Sequence, residues 1–283
     1  MTRSEASLLS PSVVRLTGRD VVTVLQNIAT QRFDDLAMGE ARLAVFCDFR
    51  GRLLHRVVAA RVDDAMWLVR EDAPGATLAA YLDRNVFRED MKIEDLSAAW
   101  QVRSFPEMPG TEGRVERTGS SIRIEIARGP RYELAPLEHG AAINSVDWEA
   151  RRIAAGWARH GHEITEDFHP FEVNLGHAVH LDKGCFTGHE TLMRLVTYRS
   201  VRRRLVRLEG RGTPAAPADI KREGKVVGRL TSVAGTGGAW TGLTVIKHEA
   251  SEVGTVLEIE GTQSTRVAES FTVRSPGARE LKL

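Results

Sequence analysis

The chain has 283 residues and a mass of 31.3 kDa, the length of two domains or three small ones. An apolar fraction of 42% with 27% charged residues is that of a soluble globular protein and excludes disordered, collagen-like and coiled-coil chains. Lys+Arg number 39 against 38 Asp+Glu, a net charge of +1, so no bulk field draws the chain to nucleic acid or to a membrane. No run approaches the roughly 18 apolar residues of a membrane span. The two cysteines, Cys47 and Cys185, cannot build a disulfide framework. The segment from Met1 to Ser12 has no signal-peptide core, so a cytoplasmic setting is expected.

In chain order, Arg19–Arg32 reads as a helix, with Val21, Val24, Leu25 and Ile28 on one face. Thr17 and Asp20 have capping-box spacing. Arg42–Phe46 reads as a strand, followed by a tight turn over Cys47–Arg52 in which Gly51 is free to take positive φ. Leu53–Val62 and Met66–Val69 read as strands of a hairpin closed by Asp63 and Asp64. A second helix is expected over Ala76–Phe87, a strand over Met91–Trp100, a loop over Pro106–Gly119 and a strand over Ser121–Ala127. Asp147–Ala155 is helical and stopped by Gly156. From Leu205 on, short β-rich runs (Leu205–Leu208, Lys225–Ser232, Leu243–Ile246, Val256–Ile259 and Arg266–Val273) are separated by Gly, Pro and Ser, as in a small barrel.

Chemistry concentrates in Asp182-Lys183-Gly184-Cys185-Phe186-Thr187-Gly188-His189-Glu190. Thr187 and Glu190 have capping-box spacing, which would place Cys185 just before a helix N-terminus, where free N–H groups favour a thiolate. Lys183 and His189 add positive charge, and Gly184 and Gly188 let a bound group approach the backbone. The chain has only six lysines, so Lys183 stands alone in an arginine-rich region. The same residues have a plain reading as well: Thr187 and Glu190 as caps, Cys185 as a small packed hydrophobe. Six of the nine histidines fall between His160 and His189, with His177 and His180 three apart, but the spacing matches no sharp zinc pattern, and no metal ligands are assigned. The arginines at 199, 202, 203, 204 and 207 read as a solvated strand face or as a phosphate-binding patch; direct nucleic-acid binding is not expected at this net charge.

Lys183–Glu190 resembles the K-G-C-Y-x-G-Q-E signature of the YgfZ-type folate-binding proteins, relatives of the glycine-cleavage T-protein, the aminomethyltransferase. Arg15–Asp20 with Leu25, Gln26, Asn27 and Thr30 is similar to that family's opening, and Cys47–Arg52 to its next turn. Arg152–Gly156, the residues Pro170, Asn174 and Leu175, and Gly228, Thr231 and Ser232 are similar to later segments, in order along nearly the whole chain. This chain departs from the signature at Phe186 and His189, and it has His55 and Arg56 where the T-protein carries an acidic pair.

The resemblance implies an α+β fold: a three-domain T-protein-like cloverleaf with a C-terminal β-barrel. Its domains would be 1–50 plus 136–201 (discontinuous, folate-binding), 51–135 (inserted, ferredoxin-like) and 202–283 (barrel). It implies a tetrahydrofolate-binding accessory protein in the assembly or maintenance of iron–sulfur enzymes, tRNA-modifying ones among them, acting as a monomer with iron–sulfur enzymes or assembly proteins as partners. Under it Cys185 and Lys183 are the reactive residues. Glu172, Asn174, Gly184, Gly188, His189 and Glu190 line the site of tetrahydrofolate or a one-carbon derivative, with Glu172 facing the pterin, since a carboxylate accepts paired N–H bonds from its aminopyrimidine edge. The alternatives are a folate-dependent aminomethyl or one-carbon transferase, which should have a carboxylate at positions 55–56, and a His/Cys metal-binding module.

Overall fold

The computed structural model describes residues 10–108, 110, 112–137 and 145–271. It is mostly antiparallel β with few helices, and the chain divides into two compact units. The first comprises Met1–Cys47, His55–Trp148 and Lys183–Thr187; the second Asp48–Leu54, Glu149–Asp182 and Gly188–Leu283.

The first unit holds a five-stranded sheet and a four-stranded one. Strands β1 (Ser12–Thr17), β2 (Ala41–Cys47), β3 (Leu53–Val62), β4 (Ala65–Arg70) and β5 (Lys92–Asp95) lie in the order β2-β3-β4-β1-β5. The β3–β4 turn is the expected one, with Asp63 at φ +46° and Asp64 at φ +58°, the left-handed pair that matches strand twist in a two-residue hairpin. Helix α1 (Val21–Ile28) buries the expected stripe of Val21, Val24, Leu25 and Ile28 against Val14, Leu16, Phe46 and Leu68. It is shorter than the sequence suggests, and the Thr17–Asp20 capping box is absent: Asp20 makes no side-chain cap, and its carboxylate accepts the Asp90 N–H at 2.8 Å instead. Helix α2 (Gly75–Asp83) packs Leu78 and Leu82 into the same core.

The four-stranded sheet has the order β6-β9-β8-β7, with β6 (Trp100–Phe105), β7 (Arg114–Thr118), β8 (Ser121–Glu125) and β9 (Arg131–Pro136). Of the expected strand over Met91–Trp100 only Lys92–Asp95 forms, as β5; β6 starts at Trp100 in a different sheet, and β7 occupies part of the expected loop.

In the second unit, helix α3 (Ser145–Ala154) ends where Gly156 turns left-handed at φ +66°. Helix α4 (His189–Thr197) follows. The C-terminal strands β10 (Arg203–Gly212), β11 (Ala218–Arg222), β12 (Lys225–Thr236), β13 (Ala239–Lys247) and β14 (Thr262–Ser270) form one sheet in the order β11-β12-β13-β10-β14. Leu208, Ile220, Leu230, Trp240 and Ile246 are in its core. It is a half-barrel: the expected strand over Val256–Ile259 instead touches both sheet edges through single bridges, Lys221–Glu258 and Val256–Arg266. No described helix is long and apolar enough to cross a membrane.

Candidate functional site

Lys183, Gly184 and Cys185 belong to the first unit, where the segment 183–187 lies against the end of α1. The Thr187 N–H donates to the Asn27 carbonyl at 3.1 Å, and the Lys183 ammonium donates to the Gln26 carbonyl while sitting 5.1 Å from the centre of the Phe186 ring. Phe186 is buried, whereas Cys185 is exposed; Cys47, the other thiol, is fully buried in β2. Burial, pulled back by Asp34 and reinforced by Arg32, brings the Lys183 pKa down to about 8. An amine near 8 carries far more free base at neutral pH than an ordinary lysine near 10.4. Acylation followed by mass spectrometry from pH 6.5 to 10.5 should therefore give Lys183 a midpoint about two units below the ordinary lysine value of about 10.4. A midpoint at the ordinary value would show that Lys183 is an ordinary solvated amine.

Glu172, Asn174, Gly188, His189 and Glu190 lie in the second unit. The expected Thr187–Glu190 capping box is not formed. The helix N-cap is Gly188, at φ +83° and with no side-chain cap. A Cβ on Gly188 would meet the Asp48 carbonyl at 2.6 Å, so this glycine packs the 48–51 turn against α4. Glu190 is exposed and pairs with Arg194 at 2.6 Å, one turn along the helix. His189 Nε2 faces the Leu181 carbonyl at 2.9 Å, which fixes the proton on that nitrogen. Asn174 adopts φ +64°, a conformation Asn tolerates.

Glu172 is buried and ends a short 3-10 turn, Pro170–Glu172. Its Oε1 accepts the Arg203 Nε at 2.8 Å; its Oε2 accepts the Arg203 Nη2 and the His169 N–H, both at 3.0 Å. A carboxylate has about four acceptor directions, so one is open while Arg203 stays in place. Burial holds the His169 imidazole below its ordinary pKa, and its Nδ1–H donates to the Gly51 carbonyl at 2.9 Å. Glu172, His169 and Arg203 wall a cleft of about 1010 Å³ within the second unit, together with Arg52, Leu195 and Arg202. That volume suits a small molecule.

Two buried charge networks went unrecognised in the sequence. In the first unit Arg56 is fully buried on β3 and binds Glu71 at 2.9 Å and Asp72 at 3.1 Å; Tyr132 donates to Glu71 at 3.0 Å. Position 56 thus holds a cation, and the carboxylates beside it are both engaged by it. His55 Nδ1 lies 2.9 Å from the Arg70 guanidinium, which also donates to Ser12 at 2.8 Å. In the second unit Arg152 and Glu163, both fully buried, pair at 3.1 Å. Glu163 also accepts from Thr231 and Ser232, and Arg152 from α3 donates to Ser232 and to Glu149. Arg152, Thr231 and Ser232 are among the residues that carry the resemblance, and here they join α3 to β12. Among the described residues no group of three or more His, Cys, Asp or Glu gathers as a metal ion would require.

No protein-family profile matches the chain. It is similar to a chloroplastic Arabidopsis thaliana protein named among the transferases, at 26% identity over 87% of this chain and 66% of that protein, just under two thirds of its length. It is also similar to the aminomethyltransferases of Oceanobacillus iheyensis (24% identity, 92% of this chain and 84% of the relative) and Bacillus subtilis (26%, 87% and 80%). Among solved structures, the glycine cleavage system aminomethyltransferase T from Bartonella henselae superposes with a TM-score of 0.74, at 18% identity, over 93% of this chain and 84% of that one. The chain therefore has a T-protein, aminomethyltransferase-like fold.

Proposed function

We propose that this protein binds tetrahydrofolate or a one-carbon derivative and serves as a YgfZ-type accessory factor for iron–sulfur enzymes, tRNA-modifying ones included. In this reading it is not an aminomethyltransferase. The three-domain cloverleaf, with domains 1–50 plus 136–201, 51–135 and 202–283, is the architecture this reading carries, with the iron–sulfur enzymes or their assembly proteins as partners.

The T-protein-like fold and the Lys183–Glu190 signature support the folate part. The observation that carries the choice of an accessory role is Arg56. At the position where an aminomethyl transferase should present a carboxylate, this chain buries a guanidinium that engages both Glu71 and Asp72. An acid–base partner must be able to reach the proton it moves, and carboxylates sealed against a buried cation are poorly placed for that. Exposed Cys185 and the low-pKa amine of Lys183 supply the reactive groups instead.

Glu172 is proposed to face the pterin. It has one free acceptor direction, and accepting a pair of N–H bonds requires the Arg203 fork to turn aside. The test is a calorimetric titration of the protein and of Glu172→Gln with tetrahydrofolate, with a methylamine-transfer assay alongside. The wild type should bind, should transfer nothing, and should bind at least about tenfold more tightly than the variant, a difference of about 1.4 kcal/mol. Absence of binding by the wild type would overturn the folate reading, equal affinities would remove Glu172 from the site, and turnover of the methylamine would restore the transferase reading.

A further inference from the structure

We propose that the cleft at the joining of α4, β10 and β13 is a binding site for a small oligoanion, a molecule carrying several phosphates or several carboxylates. The cleft is the one Glu172 walls, so the inference shares its site with the folate reading, but the observations behind it stand apart from tetrahydrofolate. It rests on how the fold gathers charge.

The chain as a whole is nearly neutral, at +1. The cleft wall is not: it has five cations, Arg52, Arg199, Arg202, Arg203 and Lys247, against two carboxylates, Glu172 and Glu249. Strand register creates the cluster. Arg203, at the start of β10, lies directly opposite Lys247, at the end of β13, and the Arg202 carbonyl accepts the His248 N–H at 2.9 Å. The C-terminus of α4 brings in Arg199, which takes the left-handed conformation at φ +49°. Arg52 and Arg203 both donate to one acceptor, the Asp167 carbonyl, at 2.8 and 2.9 Å.

Like charges directly opposite on paired strands destabilise a sheet. Elsewhere Arg15, Arg42, Arg114 and Arg266 each have a carboxylate within 4 Å, while exposed Arg84, Arg88, Arg103 and Arg229 have none among the described residues; what sets the cleft apart is that several such cations share one concave wall. In the cleft only Arg203 is so paired, with Glu172. Among the described residues, Arg52, Arg199, Arg202 and Lys247 have no carboxylate partner. Converging cations set in a concave wall without counter-charges suit an anion that supplies them, and guanidinium forks match phosphate and carboxylate oxygens in pairs. The volume of about 1010 Å³ favours a small molecule over a nucleic-acid strand. The carbonyls at the end of α4 do not compete strongly for the cations, because Leu195, Val196 and Arg194 already accept N–H bonds from Ser200, Arg199 and Tyr198.

The experiment is calorimetric titration of the full chain with inorganic tripolyphosphate and, separately, with citrate, in low and in moderate salt. At least one should bind with a Kd below about 1 mM, and the affinity should fall as salt rises. The preferred probe distinguishes a phosphate from a carboxylate ligand. Arg202→Gln combined with Lys247→Gln, both exposed positions, should weaken that binding at least tenfold without moving the thermal midpoint. Failure of both probes, or unchanged affinity in the double variant, would overturn the proposal. A single-stranded oligoribonucleotide binding far more tightly than tripolyphosphate, and losing that binding in the same variant, would overturn the small-molecule assignment in favour of nucleic acid.

Discussion

Arg56→Met should lower the stability of the first unit by about 3–5 kcal/mol at neutral pH, the usual cost of removing one partner from a buried ion pair. The guanidinium is 1% exposed, and the carboxylates of Glu71 and Asp72 are sealed in with it at 2.9 and 3.1 Å. Their charge raises the Arg56 pKa above its ordinary value despite burial, so the arginine stays ionised throughout the accessible range. Methionine fills much of the volume but leaves two buried carboxylates without that cation. Protonation can relieve them: buried carboxyls favour the neutral form, so their variant-state contribution is kept at acid pH and lost as pH rises. The thermal midpoint should drop on the order of 10 °C at about pH 7.5, and by distinctly less near pH 4.5. A companion variant, Arg56→Met with Glu71→Leu and Asp72→Leu, should recover much of the loss, because apolar replacement of a whole buried ion group is often neutral. A single variant as stable as wild type at both pH values would show that the network is not holding this unit together.

That network also marks where sequence reading stops. Elements whose side chains carry the pattern were legible. The α1 stripe is one, and the Asp63-Asp64 turn between two apolar strands is another. Strand β7 was hidden because Arg114–Thr118 buries almost nothing; it exists through backbone pairing with β8, which no side-chain period records. Strand β11 is similarly exposed, with only Ile220 buried. Val256–Ile259 shows the reverse: its apolar alternation is real, and Leu257 and Ile259 are buried, yet the backbone makes only single bridges.

The site divides in the same way. The Lys183–Glu190 segment stood out by local content, and Gly188 proved to need its glycine for a close approach to the Asp48 carbonyl. The capping box failed because Gly188 takes the N-cap place one residue after Thr187. The Glu172–Arg203 pair spans 31 residues and the Glu163–Ser232 contact 69, so neither could be read from spacing. Glu163 gave no local sign at all. Only the fold brings it to Arg152, Thr231 and Ser232.

Arg152→Met should be as costly in the second unit, and its pH dependence follows from a neighbour. Arg152 is fully buried, pairs with Glu163 at 3.1 Å and donates to Ser232 on β12. Its Nε also donates to Glu149 at 2.8 Å. Burial alone would raise the Glu149 pKa, but the Arg152 hydrogen bond and the charges of Arg152 and Arg159 hold it below the ordinary value. A carboxyl depressed in the folded state contributes stability above its unfolded pKa of about 4.3, and that contribution is lost as pH falls through the folded value. Without Arg152 the Glu149 contribution largely disappears, and Glu163 keeps the Arg159 N–H, at 3.0 Å, and the Thr231 and Ser232 hydroxyls. The gap between wild type and variant should therefore be about 3–5 kcal/mol near neutral pH and should narrow below about pH 4. Denaturant unfolding of both proteins at several pH values measures it. The outcome that would count against this account is a gap that stays constant, or widens, on acidification, since the arginine would then act by packing volume and not by charge.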